Sequence, residues 1–153
     1  MAGHLPERKT SCKNGVCMTP IPELLEAYKL TVYTIAGSEG SLTLHVGQHS
    51  EWLARELGNH NASCAAFVTA YNPGSELQPD TSNRLRNAEL LRMVQDRPFL
   101  VVDAIAPDGR WPVEKGYLVF GLEKERALHI GRAFGQVAIL WAGADAVPEV
   151  VLC

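Results

Sequence analysis

The sequence contains no long hydrophobic run, no large excess of charge and no familiar catalytic signature. No apolar stretch approaches the roughly 20 residues that cross a bilayer, and the first thirty residues lack the charged-then-apolar pattern of a secretory signal. The net charge of −3, from 14 Lys and Arg against 17 Asp and Glu, provides no general attraction to nucleic acid or to anionic membranes. These absences predict a cytoplasmic protein that binds neither nucleic acid nor membrane.

The motifs that define standard enzyme classes are also missing. The sequence has no G-x-S-x-G elbow, no phosphate-binding P-loop, no H-E-x-x-H pair and no G-x-G-x-x-G fingerprint. His45 and His49 have the spacing of two helical metal ligands, but Gly47 lies between them and His45 belongs to a predicted strand. We therefore predict no metal site and identify no cofactor, and the sequence leaves open whether the protein is an enzyme.

The four cysteines do not form the pattern of a disulfide-stapled secreted domain. Cys64 begins an apolar, strand-like run and is predicted to be a buried free thiol. Cys12 and Cys17 are separated by four residues in a polar segment. A zinc site there would need two further ligands, such as His4 and a residue brought by folding. We expect no zinc site, because structural zinc sites usually show two close pairs of ligands.

The remaining composition is that of an ordinary globular domain. Of the 153 residues, 46% are hydrophobic and 20% are charged, and a chain of this size buries roughly two-thirds of its unfolded surface. Residues 1–18 are poor in apolar side chains, which predicts a flexible leader. We expect a single domain over residues 19–153.

The hydrophobic pattern of this domain predicts a short first helix followed by elements in the order ββαβα-ββαββ. Residues 65–70 are apolar on both faces, which is typical of a central strand covered on both sides. Strands that alternate irregularly with helices favour an α+β fold, with a mixed β-sheet and packed helices, over a doubly wound parallel sheet. The predicted helices cover residues 20–28, 50–57, 83–95 and 123–134, and the predicted strands cover residues 29–35, 42–46, 65–70, 99–105, 117–121, 137–141 and 149–152.

Helical spacing predicts which side chains of the last two helices face the sheet. In the helix over residues 83–95 the inner stripe is predicted to be Ala88, Leu91 and Val94. In the helix over residues 123–134, apolar residues recur at the i, i+3, i+4, i+7 spacing of an amphipathic helix. These residues are Ala127, Ile130, Gly131 and Phe134.

Two segments resemble a bacterial family known only as a domain of unknown function. They are residues 66–75, which contain an Ala-Tyr-Asn-Pro loop, and residues 131–141, which contain a Phe-Gly-Gln-x-Ala segment. Asn83, at the start of the next helix, matches a further family position, as does Glu114 after the Trp-Pro pair, although the serine that usually follows this glutamate is Lys115 here. The resemblance covers nearly everything after the first predicted helix, and it implies no activity.

The loop at residues 71–75 leaves a predicted buried strand and leads into a helix, which is where α/β proteins commonly place ligands. The N–H groups of that helix start would face an anion, and Arg84 and Arg86 would add charge-assisted hydrogen bonds. Asn72 and Ser75 suit a polar ligand group. The alternative is that Asn-Pro-Gly-Ser is ordinary turn chemistry. The predicted ligand is a small anionic, nucleotide-like metabolite, and the predicted binding residues are Asn72, Ser75, Asn83, Arg84 and Gln136.

Gln136 and Glu114 each allow two interpretations. Gln136 follows the helix-ending Gly135, so its side chain either projects toward a site or binds a backbone group. Glu114 is a weak candidate for a catalytic acid or base if it is buried. A solvated loop carboxylate is the expected outcome, because charged residues are seldom buried unpaired.

Three functions from different classes remain open: a small-ligand-binding domain, a protein-interaction module, and a homo-oligomeric structural domain. The ligand-binding function requires Asn72, Asn83, Glu114 and Gln136 to converge around one concavity. Dispersal of these four residues over the surface would count against it.

Overall fold

A computed structural model describes residues 11–13, 16–18, 21–35 and 42–153 of the chain. The described residues form strands, mostly in consecutive pairs, separated by helices, with one 3₁₀ turn at Pro73–Ser75. In chain order the elements are β1 (Ser11–Lys13), β2 (Val16–Met18), α1 (Ile21–Leu30), β3 (Val32–Ile35), β4 (Leu42–His45), α2 (Glu51–Asn59), β5 (Ala65–Thr69), α3 (Asp80–Val94), β6 (Phe99–Ile105), β7 (Glu114–Phe120), α4 (Lys124–Ala133), β8 (Ala138–Ala142) and β9 (Glu149–Leu152).

Seven strands form one sheet in the order β4-β3-β6-β7-β5-β8-β9. The α+β class and the predicted order of elements after α1 are confirmed. The sheet is not mixed as predicted, because every neighbouring pair is antiparallel. Helix α3 joins β5 to β6, which run in the same direction, but the antiparallel strand β7 lies between them in the sheet. Helix α4 likewise joins β7 to β8, and the antiparallel strand β5 lies between them.

Helices cover both faces of the sheet and create two apolar cores. Leu24 and Tyr28 of α1 pack with α2 against one face, and α3 and α4 pack against the other. The central strand β5 serves both cores, because Phe67 faces the α1 side and Val68 faces the α3 side. All five residues of β5 are buried, which confirms the predicted central strand covered on both sides.

The inner face of α3 differs from the prediction. Ala88 is exposed and Leu91 is only partly buried, whereas the buried residues of the helix are Asn83, Asn87, Leu90 and Val94. Two of these four are asparagines whose side chains bind backbone groups at the end of β5. Because half of the buried residues of α3 are polar, the spacing of its apolar residues alone predicts the wrong inner face.

The other helices follow their predicted packing more closely. The stripe of α4 is confirmed, with all four predicted residues buried, and Gly135 has the positive φ of 68° that ends such a helix. Ser50 caps α2, accepting a hydrogen bond of 3.1 Å from the N–H of Leu53. None of the helices in the described part of the chain has the length and apolarity needed to cross a membrane.

Cys64 is a free thiol buried at the start of β5, as predicted. Its Sγ donates to the backbone carbonyl of Leu122 over 3.4 Å. Burial raises the pKa of this thiol above its ordinary value, with the nearby charge of Glu123 acting in the same direction.

The predicted leader is described only in part, because residues 1–10 lie outside the described residues. Strands β1 and β2 pair with each other, placing Cys12 opposite Cys17, and they form a sheet separate from the seven-stranded one. The leader therefore stays a prediction. We expect a chain that starts at Thr19 to keep its thermal unfolding midpoint, because few apolar residues precede it. A midpoint lower by many degrees would show that the segment packs on the domain.

Candidate functional site

Three chain segments meet at one end of the sheet. Strands β7 and β8 are both antiparallel to β5, so the end of β5 lies beside the starts of its two neighbours. Thr69 pairs with Gly116, which places the loop after β5 next to the beginning of β7. Asn72, Glu114 and Gln136 are brought together in this way.

Two asparagine side chains fix the loop that follows β5. The backbone N–H of Asn72 donates to Asn83 Oδ1 over 2.9 Å, and Asn83 Nδ2 donates back to Asn72 Oδ1 over 2.9 Å. Asn72 Oδ1 also accepts a hydrogen bond of 2.9 Å from the N–H of Gln78. Asn72 has a left-handed φ of 46°, a conformation that asparagine tolerates better than most residues. The reciprocal amide pair therefore joins the loop to the first turn of α3.

Glu114 lies at the centre of this end of the sheet and is fully buried, with 0% of its surface exposed. Its Oε1 accepts hydrogen bonds from Asn72 Nδ2 over 2.9 Å and from the indole Nε1 of Trp111 over 3.0 Å. The expectation of a solvated loop carboxylate is wrong, because β7 starts at Glu114 rather than at the predicted residue 117 and carries the carboxylate into the core. Such burial is costly unless hydrogen bonds compensate it.

Two buried tyrosines of the α1 side surround this carboxylate. The hydroxyl of Tyr28 forms a short hydrogen bond with Ser75 Oγ, which joins α1 to the loop after β5. Burial raises the pKa of Tyr28 to about 12; the bond to Ser75 opposes this shift, and the charge of Glu114 adds to it. Burial, followed by the charge of Glu114, also raises the pKa of Tyr33 well above its ordinary value. Both phenols therefore stay protonated over the physiological pH range.

The raised pKa of Tyr28 predicts a loss of stability in alkali. Below pH 10, the ordinary pKa of a tyrosine, Tyr28 is protonated in both the folded and the unfolded chain, and its contribution to the free energy of unfolding is fully present. Between pH 10 and about 12 the unfolded chain loses its proton first. We therefore expect the free energy of unfolding to fall by about 2–3 kcal/mol from this residue. Denaturant unfolding across this range tests the expectation. A profile in Tyr28→Phe with the same slope as the wild type would contradict it.

The segment at residues 134–136 lies against the loop after β5. Gln136 Nε2 donates to the carbonyl of Tyr71 over 3.0 Å, and the N–H of Gly74 donates to the carbonyl of Gly135 over 2.8 Å. A Cβ atom at Gly135 would lie only 3.0 Å from Pro73. Of the two interpretations of Gln136, binding to a backbone group has a partner in the structure, the carbonyl of Tyr71.

Arg86 and Asn87 of α3 complete the same junction; Arg86 was expected to contact a ligand and instead binds backbone carbonyls, and Asn87 was not recognised in the sequence. Arg86 donates to the carbonyls of Ala70 over 3.3 Å and Phe134 over 2.9 Å, so it links two segments. Asn87 Oδ1 accepts a hydrogen bond of 3.2 Å from the N–H of Ala70. The available signal was the i, i+4 spacing of Asn83 and Asn87, which places two amides on one face of α3.

Most of the predicted site residues converge, and one does not. Asn72, Asn83, Glu114 and Gln136 lie at the same end of the sheet and are at most 6% exposed, and the partly buried Ser75 joins them through Tyr28. Arg84 lies on the exposed side of α3, where its Nη2 pairs with Asp80 at 3.0 Å. Among the described residues, no group of three or more His, Cys, Asp or Glu side chains is arranged to hold a metal ion.

We expect Asn72→Ala and Gln136→Ala both to lower the free energy of unfolding, by about 1–3 kcal/mol each, because each leaves buried polar groups unsatisfied. The loss should be larger for Asn72, whose side chain makes three hydrogen bonds with partners on separate residues. Chemical denaturation measures both. A variant of Gln136 with unchanged stability would instead favour a role in contacting a ligand.

A cavity lies on the same face of the sheet as Glu114, but none of the residues of the buried cluster lines it. It has a volume of about 520 Å³ and is bounded by α1 and by the turn after β6. Ala104 pairs with Glu114 across β6 and β7, and Ala106, which belongs to the same core, lines the cavity. The cavity therefore lies on the same face of the sheet as Glu114.

The fold and the site define an α+β domain whose antiparallel sheet ends in a buried cluster of one carboxylate, two asparagines and a glutamine. A family model described as a protein of unknown function (DUF3293) matches residues 68–139. The predicted resemblance to a family of unknown function is thus confirmed, and the matched residues contain the whole cluster. No curated protein and no solved structure was found to match the chain.

Proposed function

We propose that this protein is a small-ligand-binding domain whose site lies at the Glu114 end of the sheet, on the face covered by α1. The observation that carries the proposal is the fully buried carboxylate of Glu114, held by donors from two separate segments on the face of the sheet that also bounds a cavity of ligand size. A buried carboxylate opposes stability even when it is hydrogen-bonded. Carboxylates in such surroundings occur preferentially at functional sites.

The charges at this end of the sheet favour a ligand that donates hydrogen bonds or carries positive charge. The only charged group of the buried cluster is a carboxylate, which would repel the anionic metabolite predicted from the sequence. Arg84, the cation expected to bind that anion, is paired with Asp80 in solvent. Glu114 would attract the positive charge of such a ligand without contacting it, because its side chain is fully buried and does not line the cavity.

A thermal-shift screen with neutral, cationic and anionic metabolites tests the proposal. A ligand at a hundred times its dissociation constant stabilises the fold by about 2.7 kcal/mol, which is easily detected. We expect Glu114→Gln to weaken the stabilisation by a cationic ligand, because the amide keeps an acceptor oxygen for Asn72 and Trp111 but removes the charge. The matched control is Glu125→Gln on the exposed side of α4. Unchanged binding in Glu114→Gln would contradict the proposal.

A second candidate function, self-association of the protein, is favoured by the part of the sheet that the helices leave exposed at β6. Val101 is 44% exposed in the middle of β6, although its neighbour Val102 is buried on the other face. Exposed apolar surface on a strand is a common feature of interfaces. Analytical ultracentrifugation tests this function, which predicts a dimer that Val101→Asp dissociates. A monomer at all concentrations counts against self-association.

A further inference from the structure

We infer that Cys12 and Cys17 are a redox modification site, which closes to a reversible disulfide by exchange with a small disulfide such as oxidised glutathione. The two cysteines belong to the sheet of β1 and β2, which is separate from the seven-stranded sheet, so this site is independent of the proposed ligand-binding function. Three observations support it: the register of the two strands, the basic sequence around Cys12, and the positions of the other two cysteines.

The register of β1 and β2 places the two cysteines directly opposite each other. The strands are antiparallel, Cys12 is the Cα partner of Cys17, and Lys13 is the partner of Val16. An Asn-Gly dipeptide connects Lys13 to Val16 in the sequence, and Asn-Gly is the dipeptide most typical of two-residue hairpin connections. The sequence and the observed register therefore agree on this pairing.

This position in the ladder is the one that suits a disulfide. Lys13 and Val16 flank a two-residue connection, so they are the pair whose backbone groups exchange hydrogen bonds. Hydrogen-bonded and non-hydrogen-bonded pairs alternate along an antiparallel ladder, which makes Cys12 and Cys17 a non-hydrogen-bonded pair. The Cβ atoms of such pairs lie closer together than those of hydrogen-bonded pairs, and a disulfide needs a Cβ separation of about 3.8 Å. The backbone therefore places the two cysteines at a separation that a disulfide can bridge.

The sequence around Cys12 is basic. Arg8, Lys9 and Lys13 lie within four positions of Cys12, and no aspartate or glutamate does. Basic surroundings favour the thiolate form of a cysteine, which is the form that attacks a disulfide. The composition of this segment therefore favours exchange with oxidised glutathione.

The reaction is thiol–disulfide exchange in two steps. The thiolate of one cysteine attacks a sulfur of oxidised glutathione, so that a mixed disulfide forms and one glutathione thiolate leaves. The thiolate of the second cysteine then attacks the protein sulfur of the mixed disulfide and releases the second glutathione. Two electrons pass from the protein to glutathione, and the protons of the two protein thiols end on the two glutathione thiols. Reduced glutathione drives the reverse reaction, which makes the modification reversible.

The other two cysteines do not form an equivalent pair. Cys64 precedes Ala65, which pairs with Ala142 at the end of β8, whereas the N–H of Cys153 donates to the carbonyl of Val137, just before β8 starts. They therefore lie at opposite ends of a five-residue strand, which is longer than the roughly 7 Å that limits the Cα separation in a disulfide. Burial also raises the pKa of both thiols, which lowers their reactivity at neutral pH.

Equilibration of the full-length protein in mixtures of oxidised and reduced glutathione tests the inference, with free thiols then blocked and peptides identified by mass spectrometry. We expect one internal disulfide, between Cys12 and Cys17, while Cys64 and Cys153 stay thiols. In Cys12→Ser and in Cys17→Ser the remaining cysteine of the pair should instead carry glutathione. The matched control, Cys64→Ser combined with Cys153→Ser, should close the disulfide at the same glutathione ratio as the wild type. Wild-type protein in which Cys12 and Cys17 stay thiols, or each carry glutathione, would overturn the inference.

Cys17→Ser combined with Met18→Cys tests whether the register sets this reactivity. The double variant moves the second thiol to the position opposite Ser11, on the other face of the strand, and separates it from Cys12 by one more residue. The equilibrium constant for closing the disulfide should fall at least about tenfold, because the two cysteines no longer oppose each other. An unchanged equilibrium constant would overturn the role of the β1–β2 register.

Discussion

Glu114→Ala is expected to lower the free energy of unfolding by about 2–5 kcal/mol. The substitution removes the acceptor shared by Asn72 Nδ2 and Trp111 Nε1, and each buried donor left without a partner costs about 1–3 kcal/mol. The side chain is also completely buried, so its removal leaves a void beneath α1 that adds to the loss. Urea denaturation of the wild type and the variant measures the difference.

Glu114→Gln separates the shape of this side chain from its charge. The amide keeps one oxygen that can accept both hydrogen bonds, so the free energy of unfolding should change by less than about 1 kcal/mol. A loss in Glu114→Gln equal to that in Glu114→Ala would show that the negative charge itself stabilises the fold. That result would contradict the proposal that the charge of Glu114 serves to bind a ligand.

Phe134→Ala is expected to cost about 3–5 kcal/mol, the usual range for truncating a large buried aromatic side chain. Phe134 is 7% exposed and packs in the core between the sheet, α3 and α4. The guanidinium of Arg86 lies 5.9 Å from its ring centroid, so the substitution also removes a contact at the junction of segments.

Leu85→Ala is the control for Phe134→Ala, because Leu85 is 71% exposed on α3. Its truncation should change stability by less than about 0.5 kcal/mol. Both variants are compared by thermal or chemical denaturation. A loss below about 1 kcal/mol in Phe134→Ala would mean that the ring does not contribute to the core in the way its burial indicates.

The elements with local and purely apolar signals could be predicted from the sequence. Strands β6 and β9 have the bounds that were predicted, because a proline precedes each run of β-branched residues. The stripe of α4 was correct for a similar reason, since its apolar residues follow one helical spacing. The class of the fold follows from such elements and from their order.

The features that depend on distant segments could not be predicted in the same way. Glu114 is buried because Asn72 and Trp111 provide donors after the chain has folded, and nothing in its immediate neighbours indicates this. The inner face of α3 was misassigned because Asn83 and Asn87 face inward to bind the backbone at the end of β5. The antiparallel pairing of all neighbouring strands was not predicted, because the order of elements along the chain does not show which strand lies between two strands that a helix connects.

The measurement that tests the assignment of the Glu114 end most directly is the thermal-shift screen with neutral, cationic and anionic metabolites, run on the wild-type protein and on Glu114→Gln, with denaturation of both proteins in parallel. We predict that a cationic metabolite stabilises the wild type, that it stabilises Glu114→Gln less, and that the unfolding free energies of the two proteins without ligand lie within about 1 kcal/mol of each other. Equal affinity for both proteins, with stability that falls in Glu114→Gln, would show that the buried carboxylate maintains the fold and would contradict its role in a ligand site.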